Sequence, residues 1–481
     1  MAEGRWRIKD EDEGISERWV ITGRLVLESP AHFGNGEVSQ LTDMPLLLDP
    51  LAGKALLTGA SIAGALRNYL QEYERGYSQM ETKNSRPALL FGSQHNKAGY
   101  ASLLVIDDAL GQAPATELRD GVGIDSKTRT AKENVLYNME LLPSGVEFEL
   151  RFELSIPVGQ DGGRFERDKS YRDELLESLA IALSGLQSGQ IRLGRRKRRG
   201  LGQCRVTKWR VRKYEMNQTA DLLAWLERPV EGIAADADSD DNIQMLLHQT
   251  TLPPNHRDYL DLEASFALTT SLLIRSESGD PADPDVTHLR SNGRPVLSGT
   301  SLAGALRARA LRIANTLKLP QADNFVTRIF GGEIERSDRK ELVASRLIVD
   351  ETVIEQGLDM VQSRVKIDRF TGGAFPGALF SEQPVFGQPE TQVQIKARLV
   401  APTPAEIGLV LMLLKDLWTG DLPLGGEAGI GRGRLAGRDA SLTYQGQTWS
   451  INQPPGQALA VDSATRRALQ QYADALKEIA Q

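Results

Sequence analysis

Two tandem α+β domains of ferredoxin-like type are what the sequence predicts, and three observations carry the expectation. The segment LTGASIAGALR at Leu57–Arg67 returns as LSGTSLAGALR at Leu297–Arg307, with eight identities in eleven positions, 240 residues later in a chain of 481. Further anchors repeat in the same order. Phe91-Gly92 answers to Phe330-Gly331, ASLLVIDD ending at Asp107-Asp108 to ASRLIVDE ending at Asp350-Glu351, and Ile124-Asp125 to Ile367-Asp368. Finally, LGRRKRRGLGQ (Leu193–Gln203) aligns with LGGEAGIGRGR (Leu424–Arg434), which superposes Gly194 on Gly425, Gly200 on Gly431 and Gly202 on Gly433. Ordered anchors at matched spacing mark a duplicated unit, and each half is long enough to bury a core of its own. The expected division is a first domain over 1–215, an acidic linker over 216–260 containing EGIAADADSDD, and a second domain over 261–481.

Each half has the same element order. An opening strand (RWVITGRLVLES; LEASFALTTSLLI) leads to a short strand (KALL; RPVL), a Gly/Ser turn and a helix, with Ser61 and Ser301 expected as N-caps. A further strand (SLLVID; RLIVD) follows, then a loop carrying Asp125 or Asp368. Next come alternating strands (VEFELRFELSI; TQVQIKARLV) and an apolar helix (DELLESLAIALSGL; PAEIGLVLMLLKDLW) that runs into the glycine loop. A βαβ unit followed by a second βαβ unit is the ferredoxin-like pattern. The closing run SATRRALQQYADALKEIAQ reads as an amphipathic helix packed on its own domain.

Composition bounds the function classes. With 40% hydrophobic and 25% charged residues the chain is an ordinary globular protein. No segment has the length and apolarity of a membrane span, and the charged first twenty residues lack a signal-peptide core, so a cytoplasmic, membrane-free protein is expected. Cys204 is the single cysteine, which excludes an internal disulfide framework and a multi-thiolate zinc site, and five scattered histidines make a histidine metal cluster unexpected.

The net charge of −7 argues against nucleic acid on average, yet residues 191–214 carry eleven Lys or Arg and no acid. Glycines in this run let backbone N–H groups approach a phosphate closely. Arg195, Arg196, Lys197, Arg198 and Arg199 in the first loop, with Arg432 and Arg434 in the second, are therefore expected to contact a phosphate backbone. The stretch GIGRGRLAG lacks the flanking βαβ unit and acidic residue of a dinucleotide site. Asp107 and Asp350 end strands and read as turn or cap residues, and His32 reads as structural.

The G-x-S-[IL]-x-G-x-[LI]-R turn and helix, the FG after it, the IDRFTGG loop at Ile367–Gly373 and the late glycine loop resemble the RAMP superfamily of CRISPR-associated proteins. More closely, the chain is similar to the backbone subunits of type III effector complexes, and two units in one chain resemble the fused subunits of the type III-D branch. The first half departs from the pattern, reading IDSKTRTAKENV, so Lys127 or Arg129 must supply the charge that Arg369 supplies in the second half. The resemblance implies two modified ferredoxin-like (RRM-like) domains with thumb hairpins, whose glycine loops and turn-helices (Ser61, Arg67, Ser301, Arg307) grip CRISPR guide RNA. It also implies complementary target RNA and other type III effector subunits as partners. Protein contacts to the RNA backbone would carry no base preference, because guide–target pairing reads sequence.

The resemblance further implies one target-cleaving aspartate per half, in the loop upstream of the G-x-S turn. Asp43 of TDMP occupies that place, and the offset of 240, supported by Gly53 on Gly293, gives Asp283, with Asp285 as a rival two residues on. RNA supplies its own 2'-hydroxyl nucleophile. A carboxylate holding hydrated Mg2+ or Mn2+ near the scissile phosphate would neutralise developing charge and leave a 2',3'-cyclic phosphate. The alternative is a non-catalytic RNA-binding scaffold in the same assembly.

Overall fold

The computed structural model describes residues 14–36, 42–82, 85–93, 101–112, 116–124, 130–158, 171–229, 232–276, 282–332 and 343–480. The chain divides into two compact units. The first comprises 1–118, 139–195 and 202–257, and the second comprises 119–138, 196–201 and 258–481.

In the first unit, β1 (Ile15–Leu27) is followed by α1 (Gly59–Arg75), β2 (Leu104–Ile106), β3 (Glu147–Pro157), α2 (Tyr171–Gln187), β4 (Cys204–Glu215) and β5 (Asp238–Asp240). The sheet is antiparallel throughout, in the order β5-β4-β1-β3-β2. Alternation along β3 sends Phe148, Leu150, Phe152, Leu154 and Ile156 into the core, as its period of two requires. They meet Leu179, Leu183 and Leu186 of α2 together with Ile62, Leu66 and Leu70 of α1.

The second unit repeats the plan with β6 (Tyr259–Leu268), α3 (Gly299–Thr316), β7 (Leu347–Asp350), β8 (Gln392–Val400), α4 (Pro404–Trp418), β9 (Leu435–Tyr444), β10 (Gln447–Asn452) and α5 (Ser463–Glu478). Its antiparallel order is β7-β8-β6-β9-β10. Arg199–Gly200, counted with this unit, adds a short parallel pairing to β7. As expected, α5 packs on its own unit: Leu476 is fully buried and Tyr472 sits edge-on to Trp449 at 5.8 Å.

Two expectations are corrected. The caps of α1 and α3 are Thr58 and Ser298, whose side chains accept from the backbone N–H of Ser61 and Ser301 at 3.3 Å each. Ser61 and Ser301 sit in the first turn instead and meet the cap hydroxyls through their own at 2.9 Å. The acidic stretch after 215 is not a free linker. It forms the helix Thr219–Glu227, strand β5 and the turn Ile243–Leu246, and belongs to the first unit as far as Arg257. Its charge explains the placement, because β5 pairs with the basic strand β4, and Asp221 and Asp236 each lie 3.4 Å from Arg212.

The glycine loops are near-identical in backbone construction. Gly194, Gly200 and Gly202 have φ of 84, 92 and 71°, and Gly425, Gly431 and Gly433 have 75, 92 and 78°. Leu193 N–H donates to Gly202 O at 2.9 Å, and Leu424 N–H donates to Gly433 O at the same distance. A Cβ on Gly433 would lie 1.9 Å from Leu424 O, whereas one on Gly446, with φ of 77°, would meet nothing within 4 Å. The two glycines thus share backbone strain but differ in space. Gly446→Ala is expected to cost about 1 kcal/mol and Gly433→Ala about 3 kcal/mol or more, as read by urea unfolding.

Candidate nucleic-acid interface and aspartate loops

The basic run divides by structure. Along β4 most of its cations are met by acids or carbonyls: Arg205 by Glu28 at 2.8 Å, Lys213 by Glu215 at 2.6 Å, and Arg210 by the Ala234 carbonyl at 2.9 Å, while Lys208 is exposed. On the loop, Arg195, Lys197 and Arg199 are exposed, while Arg196 and Arg198 are half-buried. Arg196 lies over the Tyr137 ring at 4.6 Å, and Arg198 donates to the Ser345 carbonyl. Arg199 also faces Arg307 of α3. Although solvent reaches Arg199, the surrounding protein, then the like charges of Arg196 and Arg307, hold its guanidinium below the usual arginine value, with Tyr137 opposing. Cations crowded in this way are relieved by an anion.

This crowding is built by a glycine. A Cβ on Gly299 would fall 2.5 Å from the Arg199 carbonyl, so the turn opening α3 can pack against the loop only without a side chain. In the first unit, the counterpart Gly59 packs on β2, where its Cβ would lie 2.2 Å from Ile106 O. There Asp108 accepts from the Gly59 N–H at 2.7 Å and Arg151 pairs with Asp107 at 2.7 Å, so Asp107 and Asp108 are structural.

Other expected contact residues fall differently. Ser61 is exposed and Ser301 half-buried; Arg369 and Arg434 are exposed. Arg67 is withdrawn from the contact set, because its guanidinium grips Glu81 at 2.9 and 2.6 Å and the Gly92 carbonyl at 3.0 Å. Arg432 is also withdrawn. It is 3% exposed and donates to Glu382 and Gln362, each at 3.0 Å. Lys127 and Arg129, with Asp125, lie outside the described residues. Asp368 caps the tip of the second hairpin (Gln362–Ile367 with Ala374–Gln383), accepting from the N–H of Phe370 and Thr371 at 2.8 and 2.9 Å; these bonds hold its carboxyl below the usual range.

The aspartate loops reveal a shift of register. Gly34 bridges Leu46 as Arg275 bridges His288, and Leu47 N–H donates to Phe33 O at 2.7 Å as Leu289 donates to Ile274 O at 2.8 Å. A parallel bridge joins Met44 to Met139, as another joins Val286 to Glu382. Farther on, Leu56 N–H donates to Leu47 O and Val296 N–H to Leu289 O, each at 3.1 Å. Residues 44–48 are thus 242 from their counterparts and those after the turn 240, because the turn between Leu48 and Ala55 is two residues longer than the turn between Arg290 and Pro295. The counterpart of Asp43 is therefore Asp285, not Asp283. All three aspartates are exposed. Asp285 Oδ2 accepts from the Ser381 N–H and hydroxyl at 2.7 and 3.0 Å, which lowers its pKa. Sequence reading missed this because Gly53 and Gly293, which do align, lie beyond the length difference.

Two further residues behave as expected from sequence. His32 is buried, with Nδ1 2.9 Å from the Glu140 carbonyl. Cys204 is buried, and burial pushes its thiol up to about 12, far from a reactive thiolate.

The fold and its loops define a duplicated α+β protein built around a glycine loop in each repeat. The family model described as the RAMP superfamily matches residues 24–205 and 265–436, and the chain belongs to that superfamily. Membership carries a CRISPR-associated, RNA-binding role. A search of the curated proteins returns no match. Among the described residues, no helix is long and apolar enough to cross a membrane, and no group of three or more His, Cys, Asp or Glu is placed to hold a metal ion.

His288, at the end of the aspartate loop, has its ring nitrogens 3.0 Å from the carbonyls of Leu272 and Val296. Burial pushes its pKa down to about 4, against the opposing pull of those carbonyls; Arg290 adds to the fall and Asp359 resists it. The unfolded chain takes up this proton below about 6.5 and the folded chain only near 4, so the neutral ring's contribution is present above 6.5 and lost as pH falls through that window. Urea unfolding between pH 7 and 4 should show the wild type losing about 3 kcal/mol more than His288→Gln.

Proposed function

We propose that the chain is a guide-RNA-binding backbone subunit of a type III CRISPR ribonucleoprotein, a fusion of two backbone units that cleaves complementary target RNA at one aspartate per half. The observation carrying the RNA assignment is the cationic segment at Arg196–Arg199, whose Arg199 is crowded against Arg307 by the side-chain-free turn at Gly299 within the same unit. In both units the sheet order also supports the modified ferredoxin-like reading: the fourth βαβ-βαβ strand lies beside the first, then the third, then the second. The second hairpin and the paired strands Glu117–Ile124 and Ala131–Leu141, with Phe370 99% and Leu136 72% exposed, suit the thumb that the reading requires.

The shared register favours Asp43 and Asp285 as the cleaving pair. Each position offers a single carboxylate, so a Mg2+ or Mn2+ held there would keep most of its waters. A bound ion would neutralise charge developing on the scissile phosphate. The chain's own part is to hold the backbone in line, so that the RNA 2'-hydroxyl attacks and a 2',3'-cyclic phosphate and a 5'-hydroxyl result. A scaffold lacking cleavage is the second reading, favoured by the tie of Asp285 to Ser381.

Cleavage of end-labelled target RNA by the reconstituted complex, with Mg2+ or with EDTA, separates these readings. Asp43→Ala should remove one product and Asp285→Ala another, each by 100-fold or more (about 2.7 kcal/mol or more), while Asp283→Ala leaves the pattern unchanged. Retention of every product in the Asp43→Ala/Asp285→Ala double variant would assign the chain to the scaffold.

A further inference from the structure

Glu382 lies one residue before the end of the second hairpin's return strand and is fully buried. Three arginines from three segments converge on it and its neighbour Glu427. Arg432 of the glycine loop donates to Glu382 at 3.0 Å and approaches Glu427 at 3.3 Å. Arg364 stands 3.3 Å from Glu382 and 3.2 Å from Glu427, and Arg275 lies 2.9 Å from Glu427. Gln362 takes a further bond from Arg432 at 3.0 Å. Even so, Glu382 Oε1 and Arg432 Nη1 are buried without a hydrogen-bond partner among the described residues.

An ionic cluster of this kind is a poor way to gain stability, since desolvation of the charges offsets their attraction. The first repeat does without it. Met139 occupies the position of Glu382 in the parallel bridge to the aspartate loop, and Leu201 the position of Arg432 between two positive-φ glycines. Both are apolar, and both are 3% exposed. The position of Glu427, held at φ of 59°, is taken by Arg196 at 56°.

What the charges add in the second unit is a connection. Glu382 pairs with Val286, and its neighbour Ser381 binds Asp285 through N–H and hydroxyl. The glycine loop that grips guide RNA is therefore tied, through Arg432 and Glu382, to the segment that presents Asp285. We propose that Glu382 and Arg432 are positioning residues, an ion pair that fixes the Asp285 loop against the glycine loop and makes the second cleavage site, but not the first, depend on buried charge. The inference rests on the cleavage reading above for its consequence, though not for its structural content.

The test transplants the first repeat's own residues, Glu382→Met/Arg432→Leu, into the full chain within the reconstituted complex. Removing both partners leaves no isolated buried charge, while Glu427 keeps Arg275 and Arg364, so the double variant is expected to fold where Arg432→Leu alone is compromised. Hydrogen exchange at residues 285–289 should accelerate at least tenfold, with exchange in β6 and β8 unchanged, and the product assigned to Asp285 should fall at least tenfold while that of Asp43 and guide-RNA binding persist. Wild-type exchange at 285–289 together with wild-type yield of both products would overturn the proposal. If the wild-type complex makes neither product, the cleavage reading fails, and the exchange result alone decides whether the pair positions the loop.

Discussion

The backbone contact between the two ends of each glycine loop is the constraint on which the rest of the molecule depends. Leu193 and Gly202 in one unit, and Leu424 and Gly433 in the other, approach so closely that any side chain at the second glycine would overlap the leucine carbonyl. That contact fixes where β4 and β9 begin, and these strands flank the central β1 and β6. It also brings the loop's first residues against the segment after β1 or β6: Arg195 N–H donates to His32 O at 3.1 Å, and Gly426 N–H to Leu273 O at 2.8 Å. Loop, sheet and the start of the aspartate segment are thus one construction, made twice.

On this shared frame the two copies have diverged in charge. The first loop sends arginines and a lysine toward solvent, and the basic strand that follows is covered by an acidic segment from its own unit. Covering β4 concentrates the solvent-facing positive character on the loop, which focuses a field that a uniformly basic edge would spread. The second loop turns Arg432 inward, against Glu382, and keeps Arg434 at the surface. Net charge therefore describes neither copy well; the arrangement of charge by element does.

Much of this was legible in the sequence, for physical reasons that also explain the failures. Glycines at positive φ are hard to replace, so the triplet in each loop survives divergence as identity and reveals both the duplication and the loop's shape. The apolar alternation of β3 and β8 was equally plain. Capping was misplaced by three residues, because Thr58 and Ser61, like Ser298 and Ser301, are all competent cap residues and only the backbone turn decides between them. The acidic stretch resembled a linker because composition records charge but not the basic strand that recruits it. Arg432 looked like a phosphate contact because its partner, Glu382, is fifty residues away. The second aspartate was misassigned because a two-residue difference in a turn is invisible without the bridges on either side.

The surface formed within the second unit by residues 196–200 and the start of α3 is the proposed seat of RNA. Ultraviolet cross-linking of the chain purified with its bound nucleic acid, followed by peptide mapping, tests it directly. The account predicts a discrete small RNA cross-linked within 195–199 and 299–307, with none on the covered strand β4. Purification free of RNA, or cross-links concentrated on β4, would contradict it.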